Sequence, residues 1–480
     1  MLPNNLKVPF MYVSFDPSRA FEGSSVLSYK NLLIAERLDS GSKNPLKFDL
    51  VLNPSQASKF YGQGSMSHLM CKKYFENNKY TPLIVCSVND TGSQAQGSIV
   101  VSGTASNAGS IYLMIDGVSI PVQVDKNDSN DDIASQIAST INSNGDLPVT
   151  ASSTGDTCDI TAKQSGTLGN DFDIRVNYYS GEELPDGINL TLNSMSGGSG
   201  EPDIQSVIDI MGEEWYNVII TSLSSASNLS KLDSELSDRF SAMRMIDGVG
   251  FVAKRDTVSN LVSFGSSLNS PHLSVMNGGE VPNHPAEIAS SYAGKVSKEG
   301  SVDPARPFQT LELDGILSPE LDKRNTISEN NLLLNNGIST YQVSNDGTMR
   351  IQRAITTYQE NEAGVDDIAY LDVNTMLTLM YLRYDFRNTI LTKYPRAKLA
   401  DDATRINAGQ QVMTPKIGKS EAVSIFRNWE SMGLVENLDQ FKEDIICKRS
   451  NTDPNRLDWV ISPDLVNQFR VGNAVIQFLL

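Results

Sequence analysis

The chain is poor in histidine, cysteine and cationic residues, and it has no long apolar run. Its 480 residues include three His, four Cys and 39 Lys+Arg against 57 Asp+Glu, which gives a net charge of −18. This acid excess argues against nucleic acid as a partner, because phosphate binding needs concentrated positive charge. No apolar stretch reaches the roughly 20 residues of a membrane span, and the N-terminus lacks a signal-peptide pattern. We therefore expect a globular protein that folds in a cytosol and does not insert into a membrane.

Metal and disulfide chemistry is not indicated either. No C-x-x-C or paired Cys/His spacing occurs, which argues against structural zinc and against a disulfide framework. The pairs Asp366-Asp367 and Asp401-Asp402 are more typical of helix caps or solvated turns than of metal ligands. Asp125–Asp132 lacks the Gly and the terminal Glu of an EF-hand loop, which leaves a weak cation site as the alternative to a solvated loop. The thiols are expected to be small buried side chains: Cys71, Cys86, Cys158 and Cys447.

No set of residues predicts an active site. Gly64–His68 (GSMSH) superficially resembles a hydrolase nucleophile loop, but a triad also needs a base and a carboxylate that orients it. His68 falls in a predicted helix, His272 at the start of a strand and His284 in a loop. Gly418–Ser420 ends like a phosphate-binding loop, but Met413 stands where the leading glycine is required. The sequence therefore predicts no catalytic residues and no cofactor.

The negative charge is concentrated in one stretch of the chain. Gln96–Ile204 contains 15 acidic and three basic residues, so it carries −12 of the total −18. Gly- and Ser-rich segments on both sides are typical of linkers. Inside, Ser129 is expected to cap a helix with Ile133, Ile137 and Ile141 on one face. Short strand-like runs surround this helix and indicate an inserted acidic β-rich domain: Ser98–Gly103, Ser110–Ile115, Val118–Val124, Pro148–Ser152, Asp159–Ala162, Asp171–Tyr178 and Ile188–Leu192.

Outside the insert, short apolar strands alternate with helices. This alternation predicts a doubly wound parallel α/β core, which the insert splits after Ser87 and which resumes near Asp203. The predicted strands are Pro82–Ser87, Tyr216–Thr221, Val249–Ala253 and Leu273–Met276, and the predicted helices are Met66–Asn77, Ser227–Arg244 and Asp256–Leu268.

A further α+β region begins near Tyr341. Met349–Tyr358 alternates like a strand, Asp372 is a cap for a helix over Val373–Lys393, and Ser420–Met432 predicts a second helix. The chain closes with the strand-like segments Leu457–Ile461 and Gln468–Leu480. An apolar strand at a terminus is expected to pair with another strand, because unpaired strand edges favour association.

Several motifs resemble the contractile phage tail sheath family, most closely its Mu-type branch. The resemblance extends over most of the chain, while Gln96–Ile204 resembles the family only in architecture. Lys7 and Ser14 replace the arginine and glutamate of the family's N-terminal pattern, and Tyr61 replaces a phenylalanine. The motifs are Lys7–Asp16, Tyr61–Ser65, His284–Ile288, Asp303–Thr310, Asn336–Thr340, Arg353–Tyr358, Tyr370–Val373, Thr414–Ile417 and Asp453–Asp458.

The resemblance implies a structural polymer and not an enzyme, on a core sometimes described as subtilisin-like. Hexameric rings would stack helically around a tail tube protein, with a baseplate and a tail terminator as further partners, in a virion tail assembled in the host cytoplasm. Contraction would drive the tube through the host envelope. The implied domains are an N-terminal arm (1–25), the α/β core (26–95 and 205–340), the inserted domain (96–204), a C-terminal sheath domain (341–462) and a C-terminal strand arm (463–480).

The resemblance also implies two groups of site residues. Strand exchange between subunits would use the two terminal arms, hinged at Pro17-Ser18 and Ser462-Pro463; the alternative is that each terminus pairs within its own subunit. The strand-arm residues are Val8, Phe10, Tyr12, Phe15, Phe469, Val471, Ile476 and Phe478. Tube contact, with a solvated helix face as the alternative, would use Arg383, Arg387, Lys393, Arg396, Lys398, Lys416, Lys419 and Arg427.

The sequence alone leaves other functions open. A sheath of a tailocin or of a type VI-like injection machine would share the same core. A subtilisin-like hydrolase would need a base for Ser65, and a flagellar-type filament is suggested only by the Ser/Asn/Thr-rich insert. We expect the insert on the outer surface of the assembly, where its charge discourages bundling.

Overall fold

The computed structural model describes residues 27–405, 407 and 409–479. The chain divides into two compact units. Ser28–Met380 together with Asn467–Leu480 form the main unit, and Tyr381–Val466 form the body of the C-terminal unit. The domain bounds expected from the sequence stay a prediction.

The elements lie in the following order. The helices are α1 Pro54–Tyr61, α2 Met66–Asn77, α3 Asn130–Ser143, α4 Gln205–Met211, α5 Ala226–Phe240, α6 Val258–Leu268, α7 Pro285–Gly300, α8 Ile327–Leu334, α9 Val373–Lys393, α10 Pro415–Ser431 and α11 Leu438–Asp444. The strands are β1 Asn31–Arg37, β2 Phe48–Val51, β3 Leu83–Asn89, β4 Gln94–Gly103, β5 Gly109–Ile115, β6 Val118–Val124, β7 Val149–Thr154, β8 Thr157–Ser165, β9 Ile174–Val176, β10 Ile188–Ser196, β11 Val218–Thr221, β12 Val249–Lys254, β13 Leu273–Asn277, β14 Ile338–Val343, β15 Met349–Arg353, β16 Lys398–Leu399, β17 Val412–Met413, β18 Val435–Glu436, β19 Ile446–Arg449, β20 Leu457–Val460 and β21 Asp464–Leu465.

An eight-stranded sheet in the order β15-β14-β13-β12-β11-β1-β3-β2 forms the core of the main unit. Its six inner strands are parallel, and the edge strands β2 and β15 are antiparallel to their neighbours. Every residue of β1 is buried, as expected of a central strand covered on both faces. Leu32 and Ile34 pack with α4, α5, α6 and α8 on one face. Asn31 points to the other face, where its side-chain amide donates to Tyr74 of α2 and Ser297 of α7. The predicted mixed α/β architecture is confirmed.

The acidic insert leaves the sheet after β3 and returns at α4. It contains a four-stranded sheet (β10-β4-β8-β7) and a three-stranded sheet (β6-β5-β9), together with the predicted helix α3. Ser129 caps α3 in a capping box with Asp132, and Ile133, Ile137 and Ile141 are buried. β5 and β6 are joined by the two residues Asp116-Gly117. Both have positive φ, as a type I′ hairpin turn requires.

The C-terminal unit is built around the second half of α9 and α10. Trp429 is buried and its indole nitrogen donates to the Asp385 carboxylate at 2.7 Å. Phe426 of α10 stacks on Phe441 of α11, with ring centroids 4.1 Å apart. Two-residue sheets (β16-β17 and β18-β21) and the hairpin β19-β20 complete this unit.

Three of the elements that differ from the sequence prediction lie in the C-terminal part of the chain. α10 begins at Pro415 and not at Ser420, because Thr414 caps the helix and proline is favoured in its first turn. β15 ends at Arg353 because Thr356 and Thr357 turn away to bond Leu371 and Leu273. The described part of Gln468–Leu480 forms no strand, since none of the described strands pairs with it.

Candidate assembly surfaces

The C-terminal arm, residues 471–479, has no regular secondary structure and exposes large apolar side chains. Val471, Ile476 and Phe478 are 86%, 88% and 78% exposed, and Phe469 just before the arm is 80% exposed. Single exposed apolar residues are ordinary, but a run of them on one segment marks an interaction site. No strand of the described residues pairs with this segment. The N-terminal strand-arm residues lie outside the described part of the chain: Val8, Phe10, Tyr12 and Phe15.

The base of this arm is fastened to the main unit by an ion-pair cluster. Asp372, just before α9, accepts from Arg353 (Nε to Oδ1 and Nη2 to Oδ2, both 3.2 Å) and from Arg470 (Nη2 to Oδ1, 2.9 Å). The Gln468 side chain donates to the Ala305 carbonyl, and the Gln309 side chain donates to the Phe469 carbonyl, each at 3.2 Å. Among the described residues, the hydrogen bonds and ion pairs that hold this segment to the main unit end at Arg470.

The hairpin β19-β20 presents two free strand edges. Its strands pair only with each other among the described residues, and Ile446 and Val460 are 50% and 54% exposed. Unpaired strand edges can accept an added strand, so this hairpin is a candidate acceptor. The sequence predicted β20 but missed β19, whose short alternation (Ile446-Cys-Lys-Arg449) resembles a helix end.

The predicted basic residues lie on α9, on α10 and on the segment between them. Arg387, Arg396, Lys398, Lys416 and Arg427 are exposed, and Lys419 is partly exposed. None of these six forms an ion pair within the described part of the chain, whereas Lys393 pairs with Glu421 at 3.0 Å. Lys416 and Arg427 share the exposed face of α10, opposite buried Ile425 and Trp429. Arg383 is half-buried and has its own interactions, which makes it the weakest of the predicted contacts.

A separate crevice opens at the carboxyl ends of β1 and β11. β3 lies on one side of β1 and β11 on the other, so the strand order reverses here, and open α/β sheets bind ligands at such a point. The cleft measures about 250 Å³. Glu36 is 1% exposed and accepts from the Ser222 hydroxyl at 2.6 Å. Burial raises the pKa of Glu36 to about 7.

The insert, through Thr167, Leu168 and Asp171, and the segment that follows it, through Glu201, line part of this crevice. The Glu201 carboxylate occupies the N-terminus of α5, where it accepts from the amides of Ser224 and Ser225 at 2.7 and 3.1 Å. An anionic ligand would bind in the same place. Arg255 donates to the Asp171 carbonyl at 2.6 Å. The groups that could receive a ligand are thus engaged by the chain itself.

The N-terminus of α7 holds the tip of the β5-β6 hairpin. The backbone amide of His284, the cap of α7, donates to Asp116 at 2.7 Å, and its ring contacts the Leu168 carbonyl at 3.0 Å. Burial lowers the pKa of His284 to about 3 and raises the pKa of both Asp116 and Glu287, which also repel each other. The sequence placed His284 in a loop with a structural role; it is a buried helix cap. These contacts fix the insert rigidly to the core.

No catalytic or metal constellation is present among the described residues. Ser65 is fully buried as the cap of α2, and the His68 ring accepts from the Gly64 amide at 3.2 Å, so neither side chain is arranged for nucleophilic attack. Gly418–Ser420 lies inside α10 and not in a phosphate-binding loop. No described group of His, Cys, Asp or Glu could hold a metal ion, and no described helix is long and apolar enough to span a membrane. Cys71, Cys86 and Cys158 are buried free thiols, and Cys447 is partly exposed.

The mixed α/β core and the exposed apolar arm are the features with which the comparisons can be matched. Family models for the phage tail sheath protein central domain and C-terminal domain match residues 197–357 and 365–478. The Mu-like prophage FluMu tail sheath protein of Haemophilus influenzae is 36% identical, over 100% of this chain and 99% of that protein. The chain therefore belongs to the contractile phage tail sheath family, of the Mu type, and is a structural subunit of a contractile tail.

Two solved structures are similar to this chain. The sheath of the PVC extracellular contractile injection system, in its contracted state, is 8% identical with a TM-score of 0.50, covering 99% of this chain and 98% of that chain. The sheath tail protein of Desulfitobacterium hafniense is 11% identical with a TM-score of 0.48, covering 95% of this chain and 100% of that chain.

Proposed function

We propose that this subunit polymerises by donating its C-terminal arm as a strand to a neighbouring copy. The observation that carries the proposal is the exposed, unpaired apolar segment 471–479. Burial of apolar surface stabilises a contact by roughly 25 cal/mol per Å², so insertion of several large side chains is strongly favourable. Main-chain hydrogen bonds between the arm and the neighbouring strand link the two subunits without fixing their relative orientation.

The acceptor in this proposal is the β19-β20 hairpin of the next copy. Its free edges lie beside exposed Ile446 and Val460, which supply apolar contacts for an incoming strand. Val8–Phe15 is the second proposed donor. A donor and an acceptor on different surfaces of one chain make a heterologous contact, which builds open helical assemblies.

The proposed assembly is a stack of hexameric rings around the tail tube, extended and metastable until contraction. The six unpaired cations around α10 are proposed to face the tube, because screened surface charge holds a partner and still permits release. The baseplate and a tail terminator are proposed to bound the stack, and assembly is proposed in the host cytoplasm. The 36% sequence identity to a prophage tail sheath protein, which extends over the full chain, favours a phage tail over a tailocin or type VI-like machine.

A non-enzymatic role completes the proposal. Buried Ser65 and the engagement of His68 support it, as does the Glu201 carboxylate bound to the amides of Ser224 and Ser225 at the N-terminus of α5. The likeness of the core to subtilisin stays a proposal about topology.

Deletion of Gln468–Leu480 tests the strand-donor proposal. We expect folded, soluble subunits that do not polymerise, as measured by circular dichroism and electron microscopy. A matched pair of variants separates apolar insertion from added charge: I476D/F478D should also block assembly, whereas N473D/Q477E, with the same charge change, should be less impaired. Sheaths of normal length from the truncated protein would overturn the proposal.

A further inference from the structure

The C-terminal arm is held at its base and free beyond it, and the boundary is one residue. Arg470 has a side chain only 16% exposed, bonded to Asp372, whose side chain is 22% exposed. Before it, exposed and half-buried residues alternate, whereas Val471 is 86% exposed and every described residue after it is exposed as well. Gln468 is held on both sides, because it donates to the Ala305 carbonyl and accepts from Arg470.

We propose that Arg470 is a positioning residue for strand donation. The Arg353–Asp372–Arg470 cluster acts as a clasp that fixes where the arm leaves the main unit and how long its free part is. This inference rests on the proposed strand exchange, but it concerns a contact inside one subunit. Asp372 suits the role because its carboxylate receives two guanidinium groups at the start of a long helix.

The clasp limits the reach of the arm. Ten residues follow Arg470, and an extended chain spans at most about 3.3–3.6 Å per residue, so the free arm reaches roughly 35 Å. Opening of the clasp would release residues 467–470 and add roughly 13 Å. A neighbour that moves beyond the shorter reach must therefore open the clasp, while the strand connection itself can stay intact.

A closed clasp also favours association. Fixing the base of the arm removes conformational freedom before the arm meets its acceptor, so less entropy is lost on binding. The partly exposed ion pairs are weakened by salt, although less than fully exposed ones. High ionic strength should therefore lengthen the mobile segment.

The test is proteolysis of the full-length subunit before assembly. Chymotrypsin cuts after Phe469, inside the clasp, and after Phe478, in the free arm, so the second site is an internal control. We expect R470Q to speed cleavage after Phe469 about tenfold and to leave cleavage after Phe478 unchanged, because a protease needs a locally extended chain. K442Q, which removes an exposed ion pair with Asp439 in the other unit, should change neither rate.

Two further measurements complete the test. Raising NaCl from 0.05 to 1 M should speed cleavage after Phe469 in the wild type and have little effect in R470Q. The concentration needed for polymerisation should rise about fivefold in R470Q, since the arm is less preorganised. Equal cleavage rates after Phe469 in wild type and R470Q would overturn the clasp. That result would leave the strand-exchange proposal standing. Assembly of the truncated chain would instead contradict strand exchange, and the clasp would then stand only as a contact inside one subunit.

Discussion

At the scale of single residues, the buried carboxyl group of Glu36 is a feature that stability measurements can detect. Its pKa is raised by burial to about 7, against about 4.5 for an ordinary Glu. Such a group is protonated more readily in the folded than in the unfolded state, so folding stability falls as pH rises from about 4.5 to 7 and stays lower above it. The Ser222 hydroxyl offsets part of this cost by donating to the carboxylate.

E36Q should therefore stabilise the subunit at pH 8 and have much less effect at pH 4.5–5. One pKa unit corresponds to about 1.4 kcal/mol, so the shift from 4.5 to about 7 sets an upper limit of roughly 3.5 kcal/mol for the gain at pH 8. Urea unfolding of the subunit at both pH values measures it. D322N, which neutralises an exposed carboxyl group, is the control. A gain that is equal at both pH values would contradict the argument.

At the scale of elements, the sequence predicts best where pattern and cap agree. α2, α9 and β6 have the predicted bounds; α2 begins directly after the Ser65 cap, and β6 begins directly after the Asp116-Gly117 turn. α10 was predicted five residues short because Thr414-Pro415, the true start, precedes the apolar face. β19 was missed because four residues carry too little periodicity to distinguish strand from helix.

The candidate surfaces were predictable to different degrees. The apolar C-terminal arm and the basic residues are visible in composition alone. The Arg470–Asp372 contact joins positions 98 apart in the chain, and the Glu201 contact at α5 depends on how the insert docks. Long-range contacts of this kind have no local signal in one sequence.

The exposed face of α10 carries the next prediction. K416E/K419E should uncouple the sheath from its tube without unfolding the subunit, because both lysines lie outside the buried face formed by Ile425 and Trp429. Charge reversal replaces attraction by repulsion at a screened contact. Co-sedimentation of sheath with tube protein measures the effect.

K79E/K323E is the matched control, since it changes the net charge equally at exposed positions of the main unit. We expect this control to co-sediment normally. Co-assembly of K416E/K419E at wild-type levels, together with a wild-type unfolding curve, would show that α10 does not face the tube.

At the scale of the whole molecule, charge is divided unequally. The insert carries −12 of the −18, while the other 371 residues carry −6 and include the unpaired cations around α10. The insert is docked rigidly through Asp116, His284 and Arg255, so its charge has a fixed place on each subunit. A helical assembly would repeat this acidic surface with the symmetry of the sheath.

We predict that this acidic surface lies on the outside of the sheath and keeps tails apart. Repulsion between like-charged surfaces discourages lateral association and weakens with salt, since the Debye length falls from about 10 Å at 0.1 M to about 3 Å at 1 M. Neutralising four exposed acids should cause sheaths to bundle at low salt, as seen by light scattering and microscopy. The substitutions are D131N, D156N, D159N and E183Q. A sheath map with residues 96–204 against the tube would refute the placement, and unchanged dispersion of the variant would show that charge on the insert does not prevent bundling.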